Sequence, residues 1–308
     1  MVSICVIGSI HVDFVIRVPR IPLVGETVLG EGFEVYPGGK GANQCVGVAR
    51  LGARAFMVSR IGDDFLADIA LRNLRAENNV VLGYVKIVKG VHTSVAFILV
   101  DSSGENIIAV APGADMYVSR SDVDEFLRNV HGFKVLLTQL EIPLDTVAYA
   151  LERVAEKDVL TILNPAPATR LPENIYRYVD VLTPNRVELG LLVGMDIRSL
   201  DDVVRGSRRL LRMGVRLAVV TTLGVSGAIV VTRNKVVHLP AFEVEVVDTT
   251  GAGDAFNAGL AVALAEGNDI VDAVRWANAV AALKITRKGA QEGLPRRDVV
   301  EEFLGRRG

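Results

Sequence analysis

The chain has 308 residues, half of them hydrophobic, and a formal net charge of −2. A chain of this length buries roughly three quarters of its unfolded surface, and the balanced charge gives nucleic acid no electrostatic footprint. No apolar run approaches the ~18 residues that span a bilayer, and the short opening run ICVIGSI lacks a cationic leader. These features argue against nucleic-acid and membrane partners and predict a cytoplasmic protein, in which Cys5 and Cys45 are buried thiols.

Strand patterns dominate the first third of the chain. Strands are predicted at 4–7, 13–18, 28–35, 55–59, 81–88, 93–100 and 106–110. Helical patterns there are confined to the small-residue stretch that ends at Leu51 and to an amphipathic segment at 65–77. The β-rich segments at about 13–36 and 81–110 exceed what a simple alternation of strands and helices would need. We therefore expect them to leave the main sheet and form a small separate sheet.

From about residue 120 the pattern changes to strict alternation. Helices are predicted at 122–129, 145–156, from about 184, and at 200–213. Strands are predicted at 135–137, 159–163, 179–182, 217–221 and 243–247. Short apolar runs separated by helices are typical of βαβ units around a parallel sheet. The chain is therefore predicted to be a single α/β domain over 1–308, with a mostly parallel central sheet.

The segment VDTTGAGDAFN (residues 247–257) precedes a run of small, helix-forming residues. A helix that begins here presents unpaired N–H groups and its positive dipole end to an anion, and Gly251 and Gly253 let the backbone approach closely. Asp254 in the first turn is then a candidate general base for a hydroxyl that attacks a phosphoryl group. The alternative is that Asp254 only complements the helix dipole and that Thr250 caps the helix.

Two common nucleotide-binding fingerprints do not fit. The dinucleotide pattern fails because Phe256 stands at the third glycine position. A Walker A loop would need the spacing GxxxxGK[ST], which GGKGAN lacks. Any phosphate chemistry must therefore use a different cradle.

Three further motifs end predicted strands or open predicted helices: GSIHVD (8–13), GGKGANQ (38–44) and TPNRVE (183–188). The carboxyl ends of parallel strands are where α/β proteins bind ligands. Asn43 can both donate and accept hydrogen bonds towards a polyol. Asn185 and Glu188 lie three residues apart on one helical face, and the alternative for this pair is a helix-capping box.

Taken in order, these motifs resemble those of the ribokinase (phosphofructokinase-B-like) family of carbohydrate kinases. GGKGANQ and DTTGAGDAF match the two family signatures, and the resemblance extends to LNPAPA (163–168), TPNxxE, TLGxxG (222–227) and TRKGAQ (286–291). It covers essentially the full chain. It implies a ribokinase-like fold, in which a three-layer Rossmann-like core carries a small β-sheet lid.

The resemblance implies transfer of the γ-phosphoryl group of ATP to a sugar hydroxyl, which for D-ribose is the 5-hydroxyl. Asp254 matches the family's base, and the backbone N–H groups of Ala252, Gly253 and Asp254 would form an anion hole. One alternative is a kinase of the same family that acts on another sugar or a nucleoside. A second is a non-catalytic protein that senses sugar or nucleotide on the same scaffold.

On the sugar side, the resemblance implies contacts from Asp13, Gly39, Lys40, Asn43 and Glu141, and His11 stands at a further sugar-binding position of the family. Carboxylates and an amide suit a polyol because they accept several hydroxyl donors. His11 departs from the family pattern, which usually has asparagine there. Its imidazole could still bond a ring hydroxyl, or it could reshape the pocket for another sugar or a nucleoside.

On the nucleotide side, the resemblance implies that Asn185 and Glu188 position Mg²⁺ and phosphate. The remaining ATP contacts would come from Thr222, Gly224, Gly227, Gly253 and Asn278. The family's lid strands commonly pair two copies of the chain, so the resemblance also implies a homodimer through the lid.

The resemblance further implies a monovalent cation, usually K⁺, beside the anion hole. The matching positions are Asp248 and Thr250, with the main-chain oxygens of Lys284, Arg287 and Gly289. The family's last ligand is often a serine hydroxyl, whereas Gly293 stands here. The loss of that hydroxyl predicts a dependence on K⁺ that is weakened but not abolished.

Overall fold

A computed structural model describes residues 1–102, 105–155 and 157–306. In chain order, its strands are β1 (Ser3–Ile7), β2 (His11–Arg17), β3 (Gly32–Gly38), β4 (Arg54–Gly62), β5 (Val80–Val88), β6 (Ser94–Val100), β7 (Asn106–Ala111), β8 (Val135–Thr138), β9 (Leu160–Leu163), β10 (Val181–Leu182), β11 (Ala218–Thr222), β12 (Ala228–Val231) and β13 (Val236–Leu239). Its α-helices are α1 (Lys40–Arg50), α2 (Leu66–Ala76), α3 (Arg120–Asn129), α4 (Leu144–Val154), α5 (Arg186–Val193), α6 (Leu200–Met213), α7 (Ala252–Ala265), α8 (Ile270–Ile285) and α9 (Arg297–Gly305).

The central sheet has nine strands in the order β13-β12-β11-β10-β9-β8-β1-β4-β5. Every pair from β11 to β5 is parallel, whereas β12 pairs antiparallel with both β11 and β13 at one edge. β1 lies in the middle, where Ile4 pairs with Ala55 on one side and with Val135 on the other. The predicted α/β class with a mostly parallel sheet is confirmed.

Helices cover both faces of this sheet, because side chains alternate along each buried strand. In β1, Ile4 and Val6 join the apolar cluster formed with α1, α2, α7, α8 and α9. Cys5 and Ile7 point the other way, into the cluster formed with α3, α4, α5 and α6. The predicted three layers are confirmed, and Cys5 and Cys45 are buried free thiols as expected.

A second sheet, called here the small sheet, has the strand order β3-β2-β6-β7. The sequence predicted that segments 13–36 and 81–110 form this sheet, but the first part of the second segment, which forms β5, does not belong to it. β5 pairs in parallel with β4 and forms the edge of the central sheet. Its side chains are half-buried on both faces, as an edge strand of a covered sheet requires. Residues 103–104 of that segment lie outside the described residues, and the single domain over 1–308 stays a prediction.

The strand predicted at 243–247 is wrong. Its alternating pattern suits a strand, but the segment meets no sheet edge and takes up no regular structure. The N–H groups of Val247 and Asp248 instead both donate to the carbonyl of Ile285 at the end of α8, at 2.8 and 3.1 Å. The hairpin of β12 and β13 was not predicted at all. Among the described residues, no helix is both long and apolar enough to cross a bilayer.

Helix α7 packs closely on α8 because small residues line the contact. A methyl group placed on Gly259 would meet the backbone of Ala277 at 3.1 Å and the side chain of Val280 at 3.0 Å. The helix is almost entirely buried, so its position is set by this packing. Its first turn, which carries Asp254, is thereby fixed at the carboxyl edge of the sheet.

Replacing Gly259 by Val should destabilise the protein, because the added side chain overpacks the contact between α7 and α8. The expected loss in the free energy of unfolding is about 1–3 kcal/mol. Thermal or urea unfolding measures it. The control is Gly305→Val in α9, where an added Cβ meets no atom within 4 Å. Equal effects of the two substitutions would show that packing at Gly259 is not the cause.

Candidate active site

The first turn of α7 offers backbone donors to an anion. Gly251 precedes the helix with φ at 77°, a left-handed conformation that favours glycine. The N–H of Ala252 donates to the carbonyl of Thr249 at 3.1 Å. The amides of Gly253 and Asp254 have no such partner in the part of the chain that the structure describes. The anion hole of Ala252, Gly253 and Asp254 stays a prediction, and the amides of Gly253 and Asp254 are the two that are left without a backbone partner there.

Two adjacent amide side chains hold the carboxylate of Asp254. Nδ2 of Asn43 donates to Oδ2 and Nε2 of Gln44 donates to Oδ1, both at 2.9 Å. These amides are themselves fixed, because Gln291 donates to Oδ1 of Asn43 at 3.0 Å and Gln139 donates to Oε1 of Gln44 at 2.5 Å. Both amides act as donors towards Asp254, so they fix the orientation of its carboxylate and favour its ionised form.

Burial nevertheless raises the pKa of Asp254 above its ordinary value, with a further contribution from Glu141. Lys40 and the amides of Asn43 and Gln44 oppose this shift without cancelling it. A carboxylate with a raised pKa is a stronger base than an ordinary one. Gln44 and Gln291 were not predicted as functional, although both lie inside quoted motifs. A buried amide next to Asn43 was the signal available.

Asp13 faces the same region from the start of the small sheet. Gly38 lies against it, and a Cβ there would come within 2.3 Å of the carboxylate oxygens, so only glycine leaves room. Burial raises the pKa of Asp13 to about 6; the neighbouring His11 lowers it and Glu141 raises it. Within the described ranges, no side chain donates a hydrogen bond to the carboxylate of Asp13. It remains available to accept hydroxyl donors.

Glu141 ties the segment after β8 to the start of α1. Its Oε2 accepts hydrogen bonds from Oγ of Ser9 at 2.5 Å and from the N–H of Lys40 at 2.9 Å. Gly39 makes the turn before α1 with φ at 88°. A Cβ on Gly39 would lie 2.8 Å from the backbone nitrogen of His11, so the two segments touch through bare backbone. Glu141, Gly39 and Lys40 are thus brought together as predicted.

His11 is buried, and its ring binds Asp115. Nε2 lies 2.7 Å from Oδ2 of Asp115, and Oδ1 of the same carboxylate accepts a hydrogen bond from Oγ of Ser94. Burial lowers the pKa of His11, but the hydrogen bond with Asp115 and the charge of Glu141 outweigh this, and the net shift is upward. One ring nitrogen is therefore committed to Asp115. Nothing in the sequence pattern linked residues 11 and 115.

Lys40 connects the acidic groups of the site. Burial lowers its pKa, but the charges of Asp254, Glu141, Glu188 and Asp13 outweigh burial and raise it. The ammonium group therefore stays charged among four carboxylates. Such a group can neutralise a polyanionic ligand that enters between them.

Asn185 and Glu188 form a reciprocal capping box at the start of α5. The N–H of Glu188 donates to Oδ1 of Asn185, and the N–H of Asn185 donates to Oε2 of Glu188, both at 2.8 Å. The helix-capping box, which was the alternative for this pair, is therefore present. Glu188 is also buried, which raises its pKa, and it interacts with the charges of Lys40 and Asp254. The pair therefore faces the site as well as capping the helix.

Three other predicted nucleotide residues lie at the end of β11, in the turn before β12 and in the middle of α8. Thr222 pairs with Asn185 through a parallel bridge. Gly227 lies so close to β13 that a Cβ would come within 2.1 Å of the carbonyl oxygen of Leu239. Nδ2 of Asn278 donates to the carbonyls of Leu239 and Pro240 at 3.3 Å each, so it anchors the segment leaving β13.

The residues predicted to hold a monovalent cation come together, and several of their oxygens accept hydrogen bonds from within the protein. Asp248 accepts hydrogen bonds from the N–H of Thr250 at 2.9 Å and from the N–H of Gly289 at 2.8 Å. The main-chain oxygen of Lys284 accepts the N–H of Arg287, at 3.1 Å. Among the described residues, no group of three His, Cys, Asp or Glu side chains could hold a metal ion.

A cleft of about 480 Å³ separates the small sheet from the loops around Asp248 and Gly289. Asp13 lies in its wall. The inner face of the small sheet supplies further lining from Val15, Tyr36 and Ile98. This volume is typical of small-molecule sites.

Residues 1–297 match the profile of the pfkB family carbohydrate kinases. The chain belongs to this family. It is 41% identical to a ribokinase of Bacillus subtilis, over 99% of the chain and 100% of the relative. It is 35% identical to a deoxyribokinase of Salmonella typhi, over 98% of each. The solved structure of an Arabidopsis thaliana ribokinase, complexed with ribose and ATP, superposes with a TM-score of 0.88 at 30% identity and covers 98% of each chain.

These findings confirm the predicted family and the ribokinase-like fold. As a pfkB family carbohydrate kinase, the protein is an enzyme that transfers a phosphoryl group to a hydroxyl. The roles of the individual site residues stay predictions.

Replacing Asp13 by Asn should make this kinase more stable at neutral pH. The folded pKa of about 6 lies above the ordinary 3.8, so the folded state binds more protons between these values. The free energy of unfolding therefore falls as the pH rises through that window. Above it, the ionised carboxylate costs on the order of 2–3 kcal/mol, which Asn removes. Urea unfolding near pH 4 and near pH 8 measures the gain, which should appear at the higher pH.

The control is Asp68→Asn, which removes an exposed carboxylate in a surface pair with Arg75. It should change stability little at either pH. If Asp13→Asn is no more stable than the wild type near pH 8, the carboxylate is not held ionised at a cost.

Proposed function

We propose that this chain is an ATP-dependent kinase of D-ribose that phosphorylates O5. The observation that carries the proposal is the position of Asp254. It lies at the start of a buried helix, clamped by Asn43 and Gln44, beside two backbone N–H groups for which the described residues provide no partner. The ribose and ATP in the Arabidopsis thaliana structure and the ribokinase of Bacillus subtilis support this choice of substrates.

In this proposal, Asp254 accepts the proton of the sugar hydroxyl as that oxygen attacks the γ-phosphoryl group. Its raised pKa suits the role, and a positioned base contributes roughly 10²–10⁴-fold. The N–H groups of Gly253 and Asp254 point at the charge that develops on the phosphoryl oxygens. Lys40 adds a positive charge on the same side.

The sugar would bind where Asp13, Asn43 and Glu141 converge. Asp13 and Glu141 accept hydroxyl donors, and Asn43 is already oriented by Gln291. Gly39 allows the sugar to approach the backbone at the start of α1. His11 supports this site from behind, since its ring is held by Asp115.

Asn185 and Glu188 would face the phosphates of ATP. When Mg²⁺ is bound, it neutralises phosphate charge and orients the γ-phosphoryl group. Mg²⁺ keeps several waters and takes few protein ligands, which suits the nucleotide side of the site, where Glu188 is the buried carboxylate. Thr222, Gly224 and Gly227 would border the nucleotide, and Asn278 would act there through the segment that it anchors.

A second candidate is a kinase of the same mechanism for another sugar or a nucleoside, and His11 favours it. Its bond to Asp115 removes one donor or acceptor that the usual asparagine would offer the sugar. Coupled ADP release with Mg-ATP should be measured against ribose, 2-deoxyribose, fructose, adenosine and cytidine. A strong preference for ribose is expected. Turnover only with another acceptor would overturn the substrate, and no turnover would favour the sensing alternative.

Replacing Asp254 by Ala should lower kcat by at least ~10²-fold while ATP and sugar still bind. The matched control is Asp272→Ala, which removes an exposed carboxylate from the first turn of the next helix, α8. Steady-state kinetics and calorimetric binding separate the two effects. Near-normal kcat in the Asp254 variant would remove it as the base.

The outer face of the small sheet supports a homodimer through this sheet. Phe14 stacks between Phe33 and Phe97, with ring centroids 6.0 and 5.2 Å apart. Phe33 is 62% exposed and Phe97 is 53% exposed. An aromatic stack left open to water is unusual for a monomer. A second copy that presents the same face would bury it with two-fold symmetry.

Replacing Phe97 by Glu should therefore shift the protein from dimer to monomer, because a charge in the stack cannot be buried unpaired. Sedimentation velocity measures the change. Val236→Glu, at an exposed position on the edge strand β13 of the central sheet, should leave the mass unchanged. A wild type that sediments as a monomer would contradict the proposal.

A further inference from the structure

The side chain of Lys284 ends inside the group of oxygens that the sequence assigned to a monovalent cation. It is fully buried, and its Nζ donates to the carbonyl oxygen of Asp248 at 2.7 Å. Nζ also lies 3.5 Å from the carbonyl oxygen of Arg287 and 3.9 Å from Oδ2 of Asp248. An ammonium group has donors and no acceptor, so it binds the kind of oxygens that a hard cation binds.

Gly293 leaves the room that this side chain needs. A Cβ at position 293 would lie 3.1 Å from Cε of Lys284, and 2.9 and 3.0 Å from the carbonyl oxygens of Gly289 and Arg287. The carbonyls and the lysine stem therefore converge on one point. A larger residue there would have to displace one of them.

A second cation does not fit among these atoms. The amino group of Lys284 already lies at hydrogen-bonding distance from the carbonyl of Asp248, so an ion at the same place would meet its atoms, and an ammonium group would also repel an ion of the same sign. Both carboxylate oxygens of Asp248 are held by backbone N–H groups. The residues here thus do not fit the K⁺ that the family resemblance implies.

We propose that the ammonium group of Lys284 replaces a monovalent cation in this enzyme, so that its activity does not depend on K⁺. Lys284 is a positioning residue. Its bond to Asp248 fixes the loop that leads, six residues later, to Asp254 at the start of α7. The proposal rests on the kinase function proposed above for its kinetic test, but its binding test does not.

The kinetic test compares turnover in K⁺, Na⁺ and tetramethylammonium at fixed ionic strength. The wild type should respond equally to all three. Lys284→Ala should have lower kcat in tetramethylammonium, and K⁺ should restore it by about 5-fold or more. Lys134→Ala, an exposed lysine at the amino end of β8, is the matched control and should behave as the wild type. Wild-type turnover that rises with K⁺ would overturn the proposal.

The binding test uses Tl⁺, whose anomalous scattering locates it in crystals. The wild type should show no Tl⁺ between Asp248 and Gly293, whereas Lys284→Ala should bind it there. Tl⁺ at this place in the wild type would overturn the proposal, as would a Lys284→Ala variant that binds no Tl⁺ and is not rescued by K⁺. If that variant does not fold, Lys284→Met replaces it. If no acceptor is phosphorylated, the proposed function fails while the Tl⁺ test still decides this inference.

Discussion

The clamp of Asn43 and Gln44 on Asp254 is the contact on which the rest of the structure depends. It joins the first turn of α1 to the first turn of α7, two helices that are over 200 residues apart in the chain. Both helices pack on the same face of the central sheet, so the clamp is held from both sides by the apolar core. Because neither helix can shift alone, the carboxylate keeps one orientation.

This arrangement places many polar groups in a dry environment. Gln44, Gln139 and Gln291 are fully buried, and Asp13, Asp254 and Glu188 nearly so. Buried polar groups are costly unless they are paired, and buried carboxylates keep a raised pKa even when amides surround them. The close packing of small residues between α7 and α8 offsets part of this cost.

Much of the fold follows from the sequence, because apolar runs of strand length alternate with helical patterns after residue 120. Helix α6 spans the predicted 200–213, and the family motifs bring Asp254, Asn43 and Glu141 to one place. Local patterns failed where tertiary contacts decide. The alternating segment 243–247 found no strand to pair with, and β5 joined the central sheet as its edge strand instead of the small sheet. The bonds of His11 to Asp115 and of Lys284 to Asp248 join distant residues, so no spacing rule could reveal them.

Strand β2 presents side chains on both faces of the small sheet. Side chains alternate along it, so Asp13 faces the cleft while its neighbour Phe14 faces outward into the aromatic stack. One peptide bond separates the two. A tilt of β2 that repacks the outer rings therefore also moves the carboxylate of Asp13. A substitution in β2 that changes how the outer face associates is therefore expected to change the position of Asp13 in the cleft as well.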